Sequence, residues 1–277
     1  TGKPRGFTAA GFFVFRLFRI RGRGRRVGRM HIAHGDPAWI ELTTPDVAGA
    51  SEFYGAVFGW EFSQPDDLPE GYHLATRDGG HVGGVTSSVD DDTGETIFET
   101  SWKMFIGVTD LAEAAGRVPL AHGRILVSPT KIAGSGSLSI VEGPCGAMLG
   151  LWCSETLDGF DVGARHGQPC WFELMSTNFE SSLEFYGEVL GWDYHYIARD
   201  GTMTREPKEE ARYRYAVNGD TGDATAGIYD AVSALDEDTG SHWRMYLAVA
   251  DLDEAMADVA KFGGSVLTGP APSPFGL

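Results

Sequence analysis

The hydrophobic pattern of the chain begins with a short segment in which apolar and polar residues alternate. Residues 39–44 follow this alternation, which predicts a half-buried β-strand. Asp46 then introduces apolar positions at helical spacing, and Gly59 ends the predicted helix. Residues 103–108 and a capping-box-like start at Asp110 repeat the same strand–helix order. Glycine-punctuated strand segments follow each helix, at 60–63, 72–76 and 81–87, and again at 124–127, 137–142 and 147–152. The pattern predicts a strand–helix–strand–strand–strand unit that occurs twice.

The chain also contains an internal duplication. The segment WIELTTPDVAGASEFYGAVFGW at 39–60 matches WFELMSTNFESSLEFYGEVLGW at 171–192, with ten identical residues in 22. A second match joins WKMFIGVTDLAEA at 102–114 to WRMYLAVADLDEA at 243–255. Because the motifs keep the same order, we expect a whole domain of two units to be duplicated.

This duplication predicts the domain organisation. We expect a basic leader at 1–35 outside the fold, a first domain at 36–155, a linker at 156–168 and a second domain at 169–277.

The two domains differ at their ends. In the first domain 23 residues lead from Pro129 to Trp152, whereas only seven residues follow the equivalent Pro270. We therefore expect the last unit to lack its final two strands, to end with a strand near 265–268, and to leave Val249 less covered than Val108. Two interpretations are open: the product is truncated or frame-shifted, or a second copy of the chain or another partner supplies the open sheet edge, which favours association.

Composition is that of a folded protein. Of the 277 residues 42% are hydrophobic, 12% are aromatic and 22% are charged, which excludes a disordered chain. No apolar run is long enough to span a membrane. Cys145, Cys153 and Cys170 have neither the number nor the spacing of a disulfide framework or a zinc site, so we expect a cytoplasmic protein.

The charge is unevenly distributed. The net charge is −17, but residues 1–29 carry nine basic and no acidic residues, which leaves −26 for residues 30–277. Such an acidic body argues against nucleic-acid binding by the folded part. The leader has three interpretations: a targeting segment, a surface-binding arm, or sequence upstream of a true start at Met30.

The repeated motif Glu-Phe-Tyr-Gly-x-Val-x-Gly-Trp, with Asp46 or Asn178 at the start of its helix, resembles the vicinal oxygen chelate superfamily. This superfamily includes glyoxalase I, bleomycin-resistance proteins and extradiol dioxygenases. The segment PTKIAGSGSLSIVEGPCGAMLGLW at 129–152 is similar to the last strands of its two-domain actinobacterial glyoxalase-like branch. The resemblance implies an α+β fold of tandem domains, each with two βαβββ units that form a curved mixed sheet with outer helices. The concave face of such a sheet is a natural small-molecule pocket.

The resemblance also implies where a metal would be bound. Metal-using members take His, Gln or Glu ligands from the first and last strands of each unit. Here those positions fall on Trp39, Lys103, Gly150, Trp171 and Arg244. None of these is an ordinary metal ligand, so we expect no cofactor. A divalent metal at displaced ligands, such as Glu41 with His81, is the open alternative.

The predicted pocket floor carries a repeated pair of charges. Glu41 and Glu173 lie two residues beyond Trp39 and Trp171 and share their strand faces. Because a basic residue recurs with each glutamate, we expect Glu41 to pair with Lys103 and Glu173 with Arg244. The alternatives are polar recognition of a ligand, or a Glu41–His81 pair that holds a metal or acts as acid and base. The candidate ligand-binding residues are Trp39, Glu41, His81, Lys103, Trp171, Glu173 and Arg244. No catalytic residue is identified.

These patterns favour a small-molecule-binding protein over an enzyme without deciding between them. Trp39 and Trp171 suit a planar, hydrophobic or cationic organic ligand, bound in the concave pocket without the usual metal. The alternatives are a metal-dependent lyase, dioxygenase or hydroxylase with displaced ligands, and a pseudo-domain that serves interaction alone.

Overall fold

A computed structural model describes most of the chain outside its two ends. The described residues are 33–90, 92–132, 134–156, 159–160, 165–197, 202–206, 215–219, 224–236 and 238–270. The expectations for the basic leader therefore lie almost entirely outside the described residues, as does the segment 271–277.

The first domain consists of two βαβββ units joined into one sheet. Its elements are β1 (Pro37–Thr44), α1 (Val47–Phe58), β2 (Glu61–Ser63), β3 (His73–Arg77), β4 (Gly80–Ser87), β5 (Ser101–Gly107), α2 (Leu111–Arg117), β6 (Arg124–Ile132), β7 (Gly136–Glu142) and β8 (Met148–Ser154). The eight strands follow the order β2-β3-β4-β1-β5-β8-β7-β6. The first strands of the two units, β1 and β5, pair antiparallel at the centre.

The second domain repeats the first unit and the beginning of the second. Its elements are β9 (Pro169–Ser176), α3 (Phe179–Leu190), β10 (Tyr194–Ile197), β11 (Met203–Thr204), β12 (Tyr215–Asn218), β13 (Ala226–Asp230), β14 (His242–Leu247) and α4 (Leu252–Lys261). Its six described strands follow the order β11-β10-β12-β13-β9-β14. Two mixed sheets with four helices confirm the predicted α+β class and the tandem domains.

The first helix of each domain begins and ends as its sequence predicts. The Asp46 side chain accepts a hydrogen bond from the Gly49 amide at 2.8 Å, and Asn178 takes the same place before α3. Gly59 and Gly191 end the helices with φ of 67° and 68°, a left-handed conformation that favours glycine. The local signals therefore fix both helices to within a residue or two.

The end of the second domain differs from the prediction. Residues 262–270 form no strand in the described part of the chain, so a strand near 265–268 is wrong. Val249 is only 2% exposed, against 5% for Val108, so the expected loss of cover is also wrong. The reason is that Val249 belongs to a core that both domains share. β14 is the last strand at its edge of the described sheet.

The two domains pack through their helices, α1 against α4 and α2 against α3. Two tryptophans link them reciprocally at equivalent positions. The Trp60 indole donates a hydrogen bond to the Gly167 carbonyl at 2.7 Å, and Trp192 donates to the Gly35 carbonyl at 2.8 Å. Gly167 has φ of 81°, and a Cβ there would lie 2.4 Å from the Phe58 carbonyl oxygen, so this junction requires glycine.

None of the helices in the ranges given above combines the length and the apolar character needed to cross a membrane. Cys145, Cys153 and Cys170 are free thiols, as their spacing predicts.

Candidate functional site

The central strand β1 separates the core from the concave face of the first sheet. Ile40 and Leu42 are 1% exposed and pack toward the helices. Trp39 and Glu41 alternate with them and lie on the opposite, concave face. Glu41 is the register partner of Lys103 on β5, which places both charged side chains on that face.

The pair Glu41–Lys103 forms as the sequence predicts. The Lys103 ammonium lies 3.7 Å from a carboxylate oxygen of Glu41 and donates a hydrogen bond to the Thr43 hydroxyl at 2.6 Å. Burial raises the pKa of Glu41, and the Lys103 charge opposes this effect without reversing it. Lys103 therefore has two partners within its own domain.

A tyrosine that sequence reasoning missed completes this pocket. The Tyr72 hydroxyl accepts a hydrogen bond from the Trp39 indole at 2.7 Å. It lies over Gly84 of β4, where a Cβ would come within 2.0 Å of that hydroxyl. Burial and the nearby Glu41 charge raise the pKa of Tyr72, so the phenol stays protonated at neutral pH. A glycine inside a strand is the sequence signal that could have indicated such a close approach.

The same arrangement recurs in the second domain. The Trp171 indole donates to the Tyr215 hydroxyl at 3.0 Å, and Tyr215 lies over Gly227 of β13. Burial, with the Glu173 charge, raises the pKa of Tyr215. The tryptophan–tyrosine pair over a glycine is therefore a structural feature of both pockets.

The two tryptophans differ in exposure. Trp39 is buried, because Phe160 stacks on it with ring centroids 6.4 Å apart and the His81 ring meets it edge-on at 6.0 Å. Trp171 is only half-buried. His81 thus contacts Trp39, and within the described residues no ion pair joins it to Glu41.

The charged pair of the second domain does not form as predicted. Glu173 and Arg244 are register partners on β9 and β14. The Glu173 carboxylate accepts a hydrogen bond from the Tyr246 hydroxyl at 2.6 Å instead. Arg244 Nε donates to the Nε2 atom of His242 at 3.3 Å. No ion pair within 4.0 Å links Glu173 to Arg244, although the structure describes both side chains, so this prediction is wrong.

An apolar strip continues the concave face of the first sheet away from the charged pair. Register places Ile140 beside Gly150 and Val127, while Met148 occupies the next row. Met148 is 54% exposed and Val127 is 42% exposed. Leu138, in the row on the other side of Ile140, is half-buried, as is Ile140 itself. This face of the first sheet therefore combines a charged pair with an apolar strip whose residues Val127 and Met148 are exposed.

Comparison with protein families identifies both domains. The model of the glyoxalase/bleomycin resistance protein/dioxygenase superfamily matches residues 36–151 and 170–277. The chain belongs to this vicinal oxygen chelate superfamily. Among its relatives, the anthracycline biosynthesis protein DnrV of Streptomyces peucetius is 27% identical over 257 residues, which is 88% of either chain. CFP32 of Mycobacterium tuberculosis is 27% identical over 249 residues, covering 89% of each chain.

Solved structures of the superfamily share the fold. The 2,3-dioxygenase LapB from Pseudomonas sp. KL28 has a TM-score of 0.51 at 13% identity, over 83% of this chain and 82% of that one. The 2,2',3-trihydroxybiphenyl 1,2-dioxygenase from Sphingomonas wittichii gives the same TM-score at 11% identity, over 84% and 80%. At this identity the likeness shows the fold alone.

The residues at the superfamily's metal-binding positions are not suited to hold a metal in this chain. Trp39 and Trp171 offer only an indole nitrogen, which donates to a tyrosine in each case. Lys103 and Arg244 are cations. A Cβ at Gly150 would lie 2.0 Å from the Phe105 ring, which fills the space that a ligand side chain would need. Within the described ranges, no three His, Cys, Asp or Glu residues are grouped so that they could hold a metal.

Proposed function

We propose that this chain binds a planar, hydrophobic or cationic organic molecule in the concave pocket of its first domain, without the metal of the metal-using members. The apolar strip formed by Val127, Leu138, Ile140 and Met148 carries the proposal. Val127 and Met148 are exposed there, Leu138 and Ile140 are half-buried, and the next strands carry a buried carboxylate. Covering such a strip with a flat ligand is favourable at about 25 cal/mol per Å² of apolar surface buried.

The charge of the protein supports a cationic or neutral ligand over an anionic one at this site. The chain carries a net charge of −17. A net negative protein raises the local concentration of cations and disfavours anions.

The relatives support a planar ligand. DnrV and DauV of Streptomyces are both named as anthracycline biosynthesis proteins. An anthracycline combines a planar aromatic ring system with an amino sugar, the combination that an apolar strip beside a carboxylate accommodates. The three free cysteines support a reducing compartment, the cytoplasm, for this function.

The test is a calorimetric titration of the full chain with daunorubicin, as a planar cation, and with an uncharged anthraquinone. Changing Val127 and Met148 together to Gln removes apolar surface from the strip and is expected to weaken binding at least tenfold, since each buried apolar side chain contributes about 1.5–3 kcal/mol. The matched control changes Ile97 and Leu120 to Gln. Both are exposed apolar residues in loops outside the sheet, so binding should stay unchanged.

The titration has two outcomes that would overturn the proposal. One is the absence of binding of either probe to the wild-type chain. The other is an equal loss of affinity in the strip variant and in the control variant, which would place the contact elsewhere.

A further inference from the structure

The second domain differs from the first at three positions in the rows of the sheet next to the charged pair. Where the first domain has Thr43, Phe105 and Ser101, the second has Met175, Tyr246 and His242. Register places all three on the strands that carry Glu173 and Arg244. Because the changes cluster around one pair, each of them can alter the hydrogen bonds of Glu173 or Arg244.

Two of the changes give the charged side chains new partners, and the remaining one removes a partner of the cation. Thr43 accepts a hydrogen bond from Lys103, whereas Met175 offers no such acceptor. Phe105 cannot donate to Glu41, whereas Tyr246 donates to Glu173 at 2.6 Å. The third change, to His242, gives the cation of the second domain a neutral partner on its own strand.

His242 is held in the form that this contact needs. Its Nδ1 atom lies 2.9 Å from the Gly240 carbonyl, which can only accept, so Nδ1 carries the proton. The Nε2 atom is then the acceptor for Arg244 Nε at 3.3 Å. His242 therefore fixes the orientation of the guanidinium without neutralising its charge.

The remaining nitrogens of Arg244 are available for a ligand. Across the described ranges, its two terminal Nη groups have no hydrogen-bond or ion-pair partner. The side chain is half-buried on the concave face, beside a glutamate held by a tyrosine. A planar guanidinium with two open N–H groups matches the two oxygens of a carboxylate.

We propose that the second-domain pocket binds an organic carboxylate and that Arg244 receives its two oxygens. Glu173 is already engaged by the hydroxyls of Tyr246 and Tyr215, so it leaves the guanidinium of Arg244 to the ligand. The first domain cannot do this, because Lys103 is shared between Glu41 and Thr43. This site is independent of the function proposed for the first domain and takes a ligand of opposite charge.

The test titrates the full chain with 1-naphthoate and with its uncharged counterpart, 1-naphthamide, by calorimetry. The wild-type chain is expected to bind 1-naphthoate at least tenfold more tightly than the amide. Arg244→Gln should remove this preference, whereas Arg117→Gln, the same substitution on α2 behind the sheet, should retain it. Equal binding of the two probes by the wild-type chain, or an equal loss in both variants, would overturn the proposal.

A second variant tests the mechanism while Arg244 is still present. Tyr246→Phe restores the residue of the first domain and releases Glu173, which can then pair with Arg244. The expected result is a severalfold loss of 1-naphthoate affinity with little change for 1-naphthamide. Unchanged 1-naphthoate affinity would contradict the inference that Tyr246 keeps Glu173 from pairing with Arg244.

Daunorubicin binding should be the same in Arg244→Gln as in the wild-type chain, so failure of one proposal is distinguishable from failure of the other.

Discussion

At the scale of single residues, equivalent positions in the two domains have different partners because their neighbours differ. Recurrence of an acidic and a basic residue predicts two ion pairs, and the Glu41–Lys103 pair forms at 3.7 Å. Glu173 accepts a hydrogen bond from the Tyr246 hydroxyl and, among the described residues, forms no ion pair with Arg244. A repeat of charged residues shows which side chains face each other. It does not show which hydrogen bond each charged side chain forms, because for Glu173 that depends on the Tyr246 hydroxyl in the next row of the sheet.

The half-buried His242 on β14 makes stability depend on pH. Burial lowers the pKa of His242 below 6.5, and the Arg244 charge adds to this. The unfolded chain then binds a proton more tightly than the folded chain, so the contribution is present above pH 6.5 and is lost as pH falls below it. The free energy of unfolding should therefore drop between about pH 7.5 and about pH 5.5. Urea denaturation should show a smaller drop for His242→Ser, and an identical drop would contradict this account.

At the scale of elements, the sequence correctly predicts the helix ends, because local capping residues determine them. The helix that starts at Asp46 and stops at Gly59 appears as Val47–Phe58, and the duplicated helix appears as Phe179–Leu190. The predicted strand near 265–268 fails because a strand needs a neighbour to satisfy its backbone groups. The described residues that follow α4 are mostly exposed and pair with no strand there. Pairing partners are a property of the folded sheet, which the local pattern does not contain.

The reciprocal indole bonds predict that the two domains unfold together. Trp60 and Trp192 each donate to a carbonyl, of Gly167 and Gly35, that lies just before the first strand of the other domain. Trp60→Phe and Trp192→Phe lose a buried hydrogen bond and some core volume, at a cost of about 1–3 kcal/mol each. We expect the double variant to unfold in two transitions in urea, measured by fluorescence and by circular dichroism.

The control for this prediction is Trp102→Phe. The Trp102 indole donates to Tyr54 within the first domain at 2.9 Å, so its loss should lower stability and keep a single transition. A single transition in the double variant as well would show that the other contacts between the domains, helix packing among them, suffice to couple them.

At the scale of the whole molecule, duplication has produced two sheets on one shared core whose equivalent charged residues have different partners. The first combines an apolar strip with a neutralised charge pair, and the second holds an arginine apart from its glutamate. Family resemblance predicts the fold and the concave faces of both. The difference between them lies in side chains such as Met175 and His242, which the superfamily pattern does not specify.

The central proposal is that ligand binding in this chain does not need a metal. The direct measurement is the calorimetric titration with daunorubicin, made once on protein stripped with a chelator and once on the same protein supplied with Mn²⁺ or Fe²⁺. We predict the same affinity in both titrations, because Trp39, Lys103 and Gly150 stand where metal ligands would be needed. Binding that disappears on stripping and returns with the metal would contradict the account.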